Sequence, residues 1–105
     1  MGAGRDYWRT WFLPLTFIGG EEYRVLEAEV FETKDEAWVI VEAPDDYARV
    51  ARAEANGRRA EVVIFTWSGF RYIATAELPA DVERRPSEVV EKGRTVVVKF
   101  RKLSH

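Results

Sequence analysis

A chain of 105 residues with 18 acidic and 16 basic side chains, net charge -2, has the length of one domain and lacks the strongly basic balance of a typical nucleic-acid binder. Its 47% hydrophobic content excludes disorder by composition, and the absence of cysteine excludes disulfides, zinc-thiolate sites, iron–sulfur clusters and cysteine nucleophiles. With 32% charged residues against one methionine, a single asparagine (Asn56) and no glutamine, the balance is that of hyperthermophile proteins.

Residues 1–24 read as an aromatic arm. Tyr7, Trp8, Trp11, Phe12 and Phe17 mix with Leu13, Leu15 and Ile18, Pro14 prevents a clean helix, and Gly19-Gly20 ends the segment. No apolar run approaches the roughly 20 residues needed to span a bilayer, and Gly19-Gly20-Glu21-Glu22 makes a poor signal-cleavage site, so a cytoplasmic protein without membrane contact is expected. From Val25 to Glu32 the sequence alternates, with Leu26, Ala28 and Val30 on one side. Thr33 to Glu36 is turn-like. Ala37–Ala43 is β-branched and aromatic, as strands are, and Pro44-Asp45-Asp46 stops it. Strands are predicted over 59–67 and 70–78, joined by Ser68-Gly69, and Pro79 closes the second. Ser87–Glu91 is a short strand candidate, Gly93 marks a turn, and 95–101 is a last strand with Val96, Val98 and Phe100 on one face.

Residues 45–56 admit two readings. As a helix, Asp45 or Asp46 caps it and Asn56-Gly57 ends it. As a loop and strand, Ala51, Ala53 and Ala55 share one side before a turn at Asn56-Gly57. Local propensity favours the helix. Six or seven short strands at about ten-residue spacing predict an all-β sandwich or small barrel.

The polar residues offer little chemistry. The only histidine is the terminal His105, where an imidazole is poorly held for catalysis or metal ligation. The carboxylate pairs Glu21-Glu22, Asp35-Glu36 and Asp45-Asp46 lie in predicted turns and read as solvated residues. No phosphate-loop spacing follows Gly19-Gly20 or Ser68-Gly69. No enzyme activity, metal or cofactor is expected. Arg58-Arg59, Arg84-Arg85 and Lys99, Arg101, Lys102 could meet phosphates, with Trp67, Phe70 and Tyr72 stacking on bases, which keeps a small single-strand-binding β-barrel as the alternative function. Interleaved glutamates make a mixed charged surface the plainer reading.

Three stretches carry a resemblance. VFETKDEAWVIVEAP (30–44) is similar to a charged hairpin running into Ala-Pro, EANGRRAEVVI (54–64) to a turn-then-strand, and ATAELPADVERRPSEVVEKGRTVVVKFRK (74–102) to a strand ending in Leu-Pro, a connector, a short strand, a glycine turn and a final strand. In this order they resemble the α-crystallin domain of the small heat-shock protein family. The chain departs from that pattern in several places. Arg94-Thr95 stands between Gly93 and the apolar series, and Ala74 holds the position of a family interface arginine. Ser68-Gly69 replaces a long swapped loop, and Leu103-Ser104-His105 lacks an Ile-x-Ile anchor. These departures bring it closer to minimal sandwiches of the p23 co-chaperone type. The resemblance implies an immunoglobulin-like antiparallel β-sandwich of about seven strands over 25–102, with a short tail at 103–105. It also implies an ATP-independent holdase or co-chaperone, a monomer or dimer, whose partners are non-native client proteins or another chaperone. The client surface it implies is the arm (Trp8, Trp11, Phe12, Leu15, Phe17) and a groove walled by Val50, Ala51 and Ala53 on one strand and Val89 and Val90 on another. The arm has a second reading, in which its aromatics fold back to complete the core.

Overall fold

The computed structural model describes residue 10 and residues 12–103. Nine strands follow in order: β1 (Leu15–Ile18), β2 (Glu21–Glu27), β3 (Glu29–Glu32), β4 (Glu36–Glu42), β5 (Ala48–Asn56), β6 (Arg59–Thr66), β7 (Arg71–Glu77), β8 (Glu88–Lys92) and β9 (Thr95–Arg101). They form a five-stranded sheet in the order β1-β2-β7-β6-β5 and a four-stranded sheet in the order β3-β4-β9-β8. The fold is all-β, as expected. It is neither seven-stranded nor wholly antiparallel, because β2 pairs with β7 in parallel, Arg24 opposite Tyr72 and Leu26 opposite Ala74.

The additional strands come from the segment read as an arm. Gly19 and Gly20 both take positive φ, 60° and 85°. Two such residues suit a two-residue type I′ connection, whose twist matches that of the flanking strands. Leu15–Ile18 therefore folds back on Glu21–Arg24. The run expected as one strand, Val25–Glu32, is two. At Ala28 the chain leaves one sheet for the other, so the neighbour of β2 on the side away from β1 is β7, which arrives later and runs the same way. The alternation survives the crossing: Leu26 is buried in the core and Ala28 packs against it.

Residues 48–56 are strand, not helix. Ala48, Val50, Ala53 and Ala55 pair with Thr66, Ile64, Val62 and Ala60 of β6 and face the same way as these buried residues. Gly57, at φ 67°, takes the first of the two loop positions. Cross-strand pairing and burial outweigh the helical propensity of the Ala- and Arg-rich segment. The strand is not regular. Its register shifts between Val50 and Arg52, leaving Ala51 as the extra residue of a β-bulge.

One core joins the sheets. Val39, Val41, Val96, Val98 and Phe100 meet Val62, Ile64, Tyr72 and Ala74, and Leu78 and Val82 from the connector belong to the same cluster. Among the described residues no helix is long and apolar enough to cross a membrane.

Candidate interaction surfaces

The first surface is β1. Among the described residues it is an edge strand of the five-stranded sheet, with no further strand beside it. In a two-residue hairpin the closing pair, here Ile18 and Glu21, exchanges hydrogen bonds, so the backbone groups of Phe17 and Leu15 point to the open side. The opposing sheet packs mainly elsewhere, β8 and β9 on β5 and β3 on β7. Leu15 and Phe17 face inward by register yet are 49% and 67% exposed, and Phe12 is 78% exposed. Trp8 and Trp11 lie outside the described residues.

The chain just before β1 is tied down. Thr10 is fully buried, its hydroxyl 3.1 Å from the Tyr72 hydroxyl, and Arg24 donates to the Thr10 carbonyl at 3.1 Å. Tyr72 in turn donates to Asp45 at 2.7 Å, and the Thr66 hydroxyl donates to the second oxygen of the same carboxylate at 2.8 Å. Asp46 accepts from Ser68 at 3.0 Å and from the Tyr47 amide. Asp45-Asp46 is thus an anchor for the β6–β7 connection rather than a solvated pair. Burial, and the Asp45 carboxylate holding its proton, push the Tyr72 phenol well above its ordinary value.

The expected groove lies between the edge strands β5 and β8, and only part of its predicted lining is there. Val50 and Ala53 turn toward the core side of β5, and Val89, opposite the buried Val98, does so on β8 while remaining 40% exposed. Ala51 is displaced by the bulge, and Val90, paired with Val97, points to the opposite face of its sheet. Glu91 spans the seam: one carboxylate oxygen accepts the Val50 amide at 2.7 Å and the other stands 3.9 Å from Arg49. A bulge and a bridging charge are devices that protect a sheet edge.

A third surface was not anticipated. Residues opposite one another on paired strands share a face. Phe31, Trp38, Ile40, Val97 and Val90 therefore lie together on the outer face of the four-stranded sheet. The Phe31 ring is 5.3 Å from that of Trp38, and the Lys99 ammonium stands 4.2 Å over the indole. The indole N–H donates to Glu36 at 3.0 Å. That bond and another from Ser87, with Lys99 and Arg101 nearby, hold the Glu36 carboxyl below its ordinary value. A sequence signal existed. EAWVIVE carries Trp38 and Ile40 on the face opposite its buried Ala37, Val39 and Val41, and TVVVKFR adds Val97 to that outer face, an apolar excess of the kind found in strands covered on both sides.

The residues named for nucleic-acid stacking do not share an exposed face: Tyr72 is buried and Phe70 half-buried, while Trp67 is exposed. Arg58, Arg59, Arg84, Lys99 and Lys102 each stand against a carboxylate. His105 lies outside the described residues. Comparison of the chain with protein-family models, with curated proteins and with solved structures finds no match.

Proposed function

We propose that this protein is an ATP-independent holdase or co-chaperone of the small heat-shock kind, binding non-native chains through apolar surface. The observation that carries this reading is β1, the edge strand of its sheet among the described residues, together with exposed Phe12, Leu15 and Phe17. An extended client segment adds to such an edge as a further strand, with main-chain hydrogen bonds giving sequence-independent affinity and side-chain burial adding to it. Burying Leu15 and Phe17 contributes about 1.5–3 kcal/mol each before ordering costs are subtracted. Binding is then weak and reversible, as a holdase requires.

The finer fold belongs to the same proposal: an immunoglobulin-like sandwich of α-crystallin type. It is supported by the order of the pieces that carried the resemblance. The charged hairpin is β3–β4, the turn and strand are β5–β6, and the Leu78-Pro79 stretch through the Gly93 turn is β7–β8–β9. In this reading Val50, Ala53 and Val89 form a secondary site, narrowed by Glu91.

The test is suppression of the thermal aggregation of an unrelated enzyme, without ATP and at salt high enough to weaken phosphate contacts. The full chain should suppress aggregation, and the double variant Leu15→Asp, Phe17→Asp should lose most of that effect while keeping its β-type far-UV spectrum. Undiminished suppression by the double variant would refute β1 as the client site.

A further inference from the structure

We propose that the outer face of the four-stranded sheet is the contact surface between two copies of this chain, related by a twofold axis that runs parallel to the strands between β4 and β9. Phe31, Trp38, Ile40, Val97 and Val90 spread over all four strands of this face, with Phe31 52% exposed and the others half-buried. The outer face of the five-stranded sheet is different. There Val63 and Ile73, although directed outward, are already buried, and the ion pairs Arg52–Glu61, Arg59–Glu77 and Arg71–Glu21 join side chains of that face. That face still exposes Phe65 and Ile18, 45% and 39%, but apart from each other on β6 and β1, and the four-stranded face carries its own pairs Lys99–Glu88 and Arg94–Glu42 around an aromatic and aliphatic centre.

The charge around that centre selects the occupant. The outward positions of β3 and β4 hold Glu29, Glu36 and Glu42 and no cation. Those of β9 and β8 hold Lys99, Arg101 and Lys92, with Glu88 as the single acid. The face is thus acidic on one half and basic on the other. Register sets Glu36 level with Arg101, Trp38 with Lys99 and Ile40 with Val97. A twofold axis along the line between β4 and β9 lays each half on the opposite half of the second copy. Glu36 then faces Arg101, the Trp38 indole faces the Lys99 ammonium, and Ile40 faces Val97. A twofold axis across the strands would set glutamates against glutamates. The operation along the strands also lays β3 on β8, setting Phe31 over Glu88 and Glu29 over Val90, so the self-complementarity that an isologous pair needs is carried by β4 and β9.

Trp38 is suited to be the anchor. Its one donor is already bonded to Glu36, and the Phe31 ring and the Lys99 ammonium flank it, so covering it strands no polar atom and orders little that is not ordered already. The extent is modest. Strands about 4.8 Å apart and residues about 3.4 Å long make a projected face of roughly 400 Å2. With side-chain relief this reaches the lower end of the roughly 800 Å2 per partner of a stable complex, which points to a micromolar rather than an obligate dimer.

The test is sedimentation equilibrium and native mass spectrometry of the full chain at about 100 µM, well above such a dissociation constant. The unmodified protein should dimerise, and Trp38→Ala, which removes the residue from both copies, should weaken the dimer by at least roughly 30-fold, the loss expected of a single hot-spot residue. Phe65→Ala, on the other sheet's outer face, and the Leu15→Asp, Phe17→Asp double variant should leave it unchanged, which separates this contact from client binding. Glu36→Arg and Arg101→Glu should each be monomeric alone and should form a one-to-one heterodimer when mixed, since each then meets its opposite across the axis. Should either fail to fold, Ile40→Glu and Val97→Lys repeat the test at the neighbouring register position. A monomer at this concentration overturns the proposal. So does a Trp38→Ala dimer as tight as the unmodified one, or a mixture of correctly folded charge variants that stays monomeric.

Discussion

Tyr72 is the residue through which separate parts of the chain are tied together. Its hydroxyl joins Thr10, ahead of the first strand, to Asp45, which also holds Thr66 beside the β6–β7 connection. Tyr72→Phe keeps the packing but leaves a half-buried carboxylate and a buried threonine each short of a partner. It should lower unfolding free energy by about 2 kcal/mol, measured by urea denaturation at neutral pH. The same residue gives a pH dependence. The unfolded phenol releases its proton near its ordinary value of 10.0, while the folded one, with its pKa raised, retains it. Above that pH the unfolded state binds fewer protons than the folded state, so stability falls as pH rises. Tyr72→Phe should flatten this alkaline loss, read as the difference between the two stability profiles from pH 9 upward. The alternation Phe70, Tyr72, Ala74 gave the face of Tyr72 from sequence alone. It gave no sign of Asp45, 27 positions away, because a hydrogen bond closed by the fold leaves no local pattern.

At the scale of the element, the strands that could be read were those whose pattern and neighbours agree. Residues 37–42, 59–66, 71–77 and 95–101 are β-branched or alternating, and each pairs with strands on both sides. The two elements that were hidden are both edges. β5 is rich in alanine and arginine, and its bulge at Ala51 interrupts the alternation a reader would look for. β1 is four residues after a proline, and its pairing depends on two glycines rather than on its own side chains. A Cβ at Gly19 or Gly20 would meet no atom within 4 Å, so the cost of alanine there is purely conformational, about 1–2 kcal/mol at each position. Gly19→Ala, Gly20→Ala should release β1 selectively: amide exchange should quicken at Thr16 and Ile18, whose amides face β2, and remain slow in β6 and β7. At the other edge, Glu91→Ala should speed exchange of the Val50 amide with less than about 1 kcal/mol of global loss, since the pair it removes is largely exposed. The outer-face cluster escaped for a different reason. Alternation marks one inward face per strand, and the β-branched and aromatic residues that favour a strand on its outer face, Trp38, Ile40 and Val97, look the same in sequence whether or not anything covers them.

At the scale of the whole molecule, one core contains residues of both sheets, so the described body should unfold as a single cooperative transition, with coincident far-UV and tryptophan-fluorescence curves. The numerous ion pairs should add little to that stability at room temperature. Most join exposed side chains, so raising salt to about 1 M should shift the urea midpoint only slightly. The parallel pairing of β2 with β7 carries a further consequence, for the order of assembly during synthesis. β2 leaves the ribosome long before β7, its only large neighbour in the sheet. β4, apolar on both faces, likewise waits for β9, which lies between it and β8. At translation rates of 5–20 residues per second, the roughly 60 residues from β4 to β9 leave β4 without its main partner for roughly 3–12 s. Neither sheet can close from its early strands alone, so the nascent chain passes through a period in which its own most apolar strands are bare.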